Sequence, residues 1–332
     1  MTTAASVASP VDFDTYGDYQ VKAPARADGA FVRPRYPFQG RVTADGSSGY
    51  RAEPGRYHLY VSLACPWAHR SVIVRSLLGL EDVISLSVVD PIRDGRGWAF
   101  RDGAGHTADP VNGFTLLRDA YEATEPGYDG HISVPVLWDR ETGRIVSNNF
   151  PDITIDLGTQ FGAWATGDVD LYPEPLRPEI DALNERIYTN VNNGVYRCGF
   201  ATSQGAYDEA VTALFVTLDE LEERLATRRY LFGDQLTEAD VRLWVTLARF
   251  DAVYVTHFKA NLRRLVDYPN LWAYARDLYQ LPAFRDTTNF DHIKRHYYGT
   301  HPRLNPSRIV PAGPLLDWDA NADVSARAGG RD

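Results

Sequence analysis

The chain has 332 residues, 44% of them apolar and 23% charged, and its 34 basic against 44 acidic side chains leave a formal net charge of -10. That is a globular composition with enough apolar residues for two domains, and the excess of acid argues against a non-specific polyanion binder, which needs clustered Lys and Arg. Two cysteines cannot build a disulfide framework, and no C-x-x-C or His/Cys cluster has zinc-ligand spacing, so a reducing compartment and no metal are expected.

The first ten residues lack the basic and apolar regions of a secretion signal, and no stretch reaches the roughly 18 apolar residues that span a bilayer. A cytoplasmic protein without membrane or nucleic-acid partners is expected. Lysine occurs only at Lys22, Lys259 and Lys294, an arginine bias that suggests a GC-rich genome. Residues 1–50, rich in Gly, Ala, Arg and Pro, read as an irregular arm whose Phe31, Tyr36 and Phe38 should pack on something.

From Tyr57 to Leu63 apolar residues alternate, Cys65-Pro66 opens a stretch that ends at Gly79, and Val83 to Val89 alternates again. This pattern predicts strand, helix, strand, with Ile73, Leu77 and Leu80 on one stripe, Pro66 in the first turn and Gly79 at the end. A crossover of that length makes the two strands parallel. After a polar stretch from Asp90 to about Asp129, Val134 to Trp138 and Arg144 to Val146 predict a hairpin about the turn residues 139–143. Pro135 cannot donate to a ladder, so it belongs at a strand start or edge, where cis X-Pro bonds occur.

Beyond Pro178 the period is helical: Val211, Leu214, Phe215, Leu218, Leu221 and Leu225 form one stripe, and Val241, Trp244, Val245 and Ala248 another. Thr237-Glu238-Ala239-Asp240 reads as a capping box ahead of the second. The domains expected are an α/β domain over 51–165, an all-helical domain over 175–300 and a loose tail over 301–332.

Cys65, between a strand and the first turn of a helix, would place its sulfur near the partial positive charge of a helix N-terminus, which favours the reactive thiolate. With no cysteine two or three residues on, it needs an external thiol for resolution. The other reading is that of a small buried hydrophobe. Cys198 could be a resolving thiol or a structural cysteine. His69 could influence the thiolate, hydrogen-bond locally or point to water.

The run Gly55-Arg56-Tyr57-His58-Leu59-Tyr60-Val61-Ser62-Leu63-Ala64-Cys65-Pro66-Trp67-Ala68-His69-Arg70 resembles the signature of the glutathionyl-hydroquinone reductases, the Xi class of glutathione transferases. Gly97-Trp98-Ala99-Phe100, Val134-Pro135-Val136-Leu137-Trp138-Asp139, Asn192-Asn193-Gly194-Val195-Tyr196, His292-Ile293-Lys294-Arg295-His296-Tyr297-Tyr298 and Ile309-Val310-Pro311-Ala312-Gly313-Pro314 agree in order, from the arm near Phe31 to Pro314. The resemblance implies a thioredoxin-like N-terminal domain followed by an all-helical glutathione-transferase C-terminal domain, usually in a homodimer, with no bound cofactor. It implies removal of glutathione from an S-conjugated hydroquinone, with Cys65 as nucleophile and Tyr196 and Tyr297 as catalytic groups on the ring hydroxyls, Tyr298 being the lesser candidate. Trp98 would border the bound thiol, and the backbone of Val134, before Pro135, would hold its cysteinyl part.

One place departs from the family pattern. Where a Glu-Ser pair typically holds the γ-glutamyl end of glutathione, this chain reads Ser147-Asn148-Asn149-Phe150-Pro151-Asp152. Each lost charged hydrogen bond could cost roughly 1.5 to 3 kcal/mol. Either glutathione is used weakly, or the thiol is another. Mycothiol, a cysteinyl sugar common in actinobacteria of GC-rich genome, suits Asn149 and Phe150 better than a zwitterion does. The alternatives are an omega-like thioltransferase or dehydroascorbate reductase, and a non-catalytic binding protein on the same scaffold.

Overall fold

The computed structural model describes residues 7–21 and 26–320, which fall into two compact units. Of the described residues, the first comprises 7–21, 34–168 and 291–310, and the second 26–33, 169–290 and 311–320.

In the first unit, after the short helix α1 (Phe13–Tyr16), β1 (Tyr57–Val61) runs into α2 (Pro66–Leu77) and then β2 (Ser85–Val88), which pairs parallel with β1. β3 (Val136–Asp139) pairs antiparallel with β1 and with β4 (Arg144–Ser147), and the sheet order is β2-β1-β3-β4. β1 and β3 are buried at every position, as expected of central strands covered on both faces. Pro66 occupies the first turn of α2, and Gly79, at φ +60°, lies two residues beyond its end. Thr166 and Gly167 donate their N–H groups to Leu78 O there, so close that a Cβ on Gly79 would lie 2.0 Å from the Thr166 hydroxyl.

Two helices of this unit escape the periodicity reading. α3 (Leu117–Thr124) lies inside the stretch read as polar and buries only Leu117, Ala120, Tyr121 and Thr124 in two turns. α4 (Phe150–Gln160) follows β4 directly and packs on α2. The aromatics of the arm do find partners: Tyr36 meets Phe150 edge-on, and Phe38 meets Tyr121 and Tyr128.

The hairpin turn is held by an ion pair between the half-buried Arg56 and the buried Asp139. Arg56 donates from Nε and Nη2 to the two oxygens of Asp139 at 2.9 and 3.0 Å, and the same carboxylate accepts from the Glu141 N–H and the Thr142 hydroxyl. Burial pushes the Asp139 carboxyl up, but these donors outweigh it and hold it below the usual range. Removing it takes the acceptor from the Glu141 N–H and the Thr142 hydroxyl, while the half-buried Arg56 keeps its ion pairs to Glu53 at 3.1 Å and Glu141 at 2.9 Å, so Asp139→Ala is expected to lose about 1–3 kcal/mol of unfolding free energy in urea. A depressed carboxyl stabilises above its unfolded value and loses that contribution as pH falls through the folded one. The variant's deficit should therefore shrink in acid.

The second unit is helical: α5 (Arg177–Ile187), α6 (Gly194–Gly199), α7 (Gln204–Leu225), α8 (Glu238–Arg249), α9 (Pro269–Tyr279) and the short α10 (Pro282–Arg285). Both stripes read from the sequence are buried. Asp240 accepts from the Thr237 N–H and hydroxyl at 2.8 Å each, which starts α8 as the capping box requires.

The expected boundaries need two changes. The last helix, α11 (Phe290–Thr300), was read as part of the helical domain, yet residues 291–310 cluster with the first unit because His292 and His296 hydrogen-bond to the segment after β2. The tail is not loose as far as residue 320: Trp318 is buried against Trp244, Trp272, Tyr279 and Phe290, and its carbonyl accepts from Gln280 Nε2. Residues 321–332 lie outside the described residues.

Candidate active site

Cys65 is the residue immediately before α2, with backbone in the extended region (φ -78°, ψ 120°) and the side chain partly exposed. Its thiol donates to the Val134 carbonyl across 3.6 Å, and the Val134-Pro135 bond is cis. Strand β1 delivers the cysteine to the end of the sheet, Pro66 stops the preceding backbone from turning helical earlier, and the segment before β3 brings Val134 to it. Cys65, Val134 and Pro135 are thus brought together. Two influences act on the sulfur: the N–H groups at the start of α2 favour thiolate, and the carbonyl acceptor favours thiol.

Trp98, on the segment after β2, is 4% exposed; the Arg93 guanidinium lies 4.4 Å from its ring centroid and the His296 ring stacks on it at 5.0 Å. Tyr297, on α11, is buried, with its ring near those of His296 and His301. Tyr298 is buried beside it.

The start of α4 carries the departure from the family pattern. Asn149 is the residue before the helix, partly exposed, and its amide donates to Asp152 Oδ2 at 2.7 Å. Phe150 is 2% exposed: its ring lies 4.5 Å from that of Trp67, meets Tyr36 edge-on and has the Arg70 guanidinium 5.3 Å from its centroid. The Phe150 ring faces inward and anchors the start of α4.

Tyr196 belongs to the second unit, on α6, where it is partly exposed within a cluster of rings. Phe258 lies 5.3 Å away, Phe31 and Phe200 stack at 6.4 and 6.2 Å, and the Arg33 guanidinium sits 4.6 Å from the Tyr196 centroid. A Cβ on Gly199 would lie 2.3 Å from the Phe258 ring, so glycine is what lets that ring approach α6. Arg33 is fixed by donation to Asn193 Oδ1 at 2.9 Å. Sequence reasoning did not find Arg33, Arg70 or Arg93, because a cation placed over a ring has no spacing signature.

Cys198 and His69, the remaining candidates, are both buried. Desolvation pushes the Cys198 thiol up to about 12, the state of an inert structural cysteine. His69 is wholly buried in α2 and so does not point to water. Among the described residues no group of three or more His, Cys, Asp or Glu could hold a metal ion, and no helix is long and apolar enough to cross a membrane.

A sheet of this order followed by a helical unit, with a cysteine at the start of the first crossover helix and a cis-proline loop beside it, defines the glutathione transferase class. A family model described as the glutathione S-transferase C-terminal domain matches residues 204–277. The chain is 50% identical to the glutathionyl-hydroquinone reductase YqjG of Escherichia coli, over 88% of this chain and 91% of that one. It is 49% identical to the glutathionyl-hydroquinone reductase PcpF of Sphingobium chlorophenolicum, over 86% and 90%. The glutathione-bound structure of YqjG superposes with a TM-score of 0.84 at 48% identity, covering 90% of this chain and 98% of that one. The chain belongs to the glutathionyl-hydroquinone reductase family, the Xi class of glutathione transferases. It is an oxidoreductase of that family.

Proposed function

We propose that the protein reductively removes a small thiol from S-conjugated hydroquinones, with Cys65 as nucleophile. The observation that carries the reading is the partly exposed Cys65 at the start of α2, opposite the Val134 carbonyl. The thiolate attacks the thioether sulfur; an S–S bond forms, the aryl C–S bond breaks, and its electron pair goes to the ring carbon, which takes up a proton. A second thiol then attacks the mixed disulfide on the outer sulfur, leaving as a low-molecular-weight disulfide and returning Cys65 as thiolate. One thiol pair is oxidised and one aryl carbon reduced, so no bound cofactor is required.

A carbanion on the ring would be prohibitively basic, so the ring hydroxyls must be held and a proton supplied. Tyr196 and Tyr297 take that role, since a phenol both donates and accepts. Once Cys65 is ionised it no longer donates to Val134, whose carbonyl is then available to the amide N–H of the incoming cysteinyl group. Trp98 borders that group, and the helix start at Asn149 and Phe150 receives its far end. The assembly is a cytoplasmic homodimer.

The thiol is glutathione or mycothiol. Names and the bound ligand of the relatives favour glutathione, while the amide at 149 and the apolar residue at 150 replace the carboxylate and hydroxyl of the family pattern, and the nearby Asp152 carboxylate is engaged by Asn149. We favour mycothiol on the chemistry of those two residues. The expected result is a kcat/KM for a mycothiyl conjugate at least about tenfold above that for the glutathionyl conjugate of the same hydroquinone, the equivalent of one lost charged hydrogen bond. Efficient cleavage of the glutathionyl conjugate, with the mycothiyl one no better, would dispose of the mycothiol assignment and leave glutathione.

A further inference from the structure

α11 rests on the segment that follows β2 through two imidazoles. His296 Nδ1 lies 2.7 Å from the Pro91 carbonyl oxygen, and one turn earlier His292 Nε2 lies 2.6 Å from that of Ala104. A carbonyl only accepts, so each of these ring nitrogens is assigned the proton. Residues four apart share a helix face, so both bonds hold α11 from one side.

His296 does more than tether. Its ring is stacked on Trp98, with centroids 5.0 Å apart and planes at 21°, and it meets the neighbouring Tyr297 ring edge-on at 5.4 Å and 79°. His301 lies 5.6 Å from both the His296 and the Tyr297 ring, closing the group from the end of the helix. One buried imidazole therefore touches the indole assigned to the thiol and the phenol assigned to the aromatic ring.

We infer that His296 is a positioning residue for conjugate cleavage: it fixes the spacing between Trp98 and Tyr297, so that the conjugate's sulfur and its ring hydroxyl are held at the same moment. This rests on the roles given above to Trp98 and Tyr297. Cleavage of an aryl thioether needs both ends located, and a misplacement of about 1 Å can cost on the order of 10²-fold. Exchange with 2-hydroxyethyl disulfide, which carries neither a cysteinyl group for Trp98 to border nor a ring for Tyr297 to hold, uses Cys65 alone.

The test compares three variants in the full-length protein. His296→Leu removes hydrogen bond and stack, His296→Phe restores the stack, and His296→Asn restores an N–H toward the Pro91 carbonyl. The expected result is a kcat for conjugate cleavage lowered about tenfold or more in His296→Leu, with partial recovery in the other two. Exchange of Cys65 with 2-hydroxyethyl disulfide should stay within about twofold of wild type in all three. If His296→Leu does not fold, the Phe and Asn variants carry the comparison, each intermediate in cleavage and unchanged in exchange. Wild-type cleavage in the folded variants overturns the inference, and so does a parallel loss of cleavage and exchange, which would mark a merely structural histidine. Tyr297→Phe is measured alongside: if it cleaves conjugates like wild type, the role given to Tyr297 fails, whatever the histidine variants do.

Discussion

A Cys65→Ser protein is expected to fold as the wild type does and to lose conjugate cleavage by about 10³-fold or more, the scale on which removal of a nucleophile is felt. The reason is chemical before it is structural. A hydroxyl at this position is not ionised near neutral pH, and its oxygen cannot accept the thiol as a mixed disulfide, so the route through an S–S bond is closed. The fold should tolerate the change because Cys65 is partly exposed and the bond from its side chain to the Val134 carbonyl can be made by a hydroxyl. Release of free hydroquinone followed by mass, together with a thermal melt, checks both halves. A variant that retained all its activity in cells would point to a binding protein on a transferase scaffold.

The second large effect is expected at the tyrosines. Tyr196→Phe and Tyr297→Phe should each lower conjugate cleavage by about 10²-fold, the lower end of what a positioned acid or base contributes, and the double variant should lose nearly all of it. Exchange with a simple mixed disulfide should survive in every one of them. The distinction follows from the leaving group: a disulfide expels a stable thiolate, whereas an aryl thioether must expel carbon and needs a proton delivered to it. Measuring the two reactions on one preparation separates a hydroquinone reductase from an omega-like thioltransferase, for which the phenols are dispensable. Loss of both reactions together in Tyr297→Phe would show that its hydroxyl supports the local fold instead, since the ring packed near His296 and His301 is retained.

The core of the first unit was legible because its signals are local. Alternation located β1 and β2, Pro66 and Gly79 bracketed α2, and the turn residues after Asp139 located the hairpin. Cys65 could be placed before the first helical turn from Pro66 alone. α3 was missed because two turns with four buried residues carry too little periodicity, and α4 because a Pro-containing start directly after a strand resembles a loop. The membership of α11 in the first unit depends on imidazole bonds to Pro91 and Ala104, some two hundred residues away, and nothing in the helical period announces such contacts. Trp318 follows the same logic in the second unit: a lone tryptophan in an aperiodic tail finds its place only among four other rings. At the site, the residue types of Cys65, Tyr196 and Tyr297 were readable, whereas the inward packing of the Phe150 ring on Trp67 was not, because the sequence records that an aromatic is present without recording which way it faces.

The most direct test of the central claim is intact-protein mass spectrometry after a single turnover with an S-conjugated hydroquinone and no added thiol. One equivalent of hydroquinone should be released, with a mass increase equal to the transferred thiol, mapped to Cys65 and removed when thiol is added. Hydroquinone released with no adduct on Cys65, or an adduct that forms equally well in Cys65→Ser, would contradict the claim.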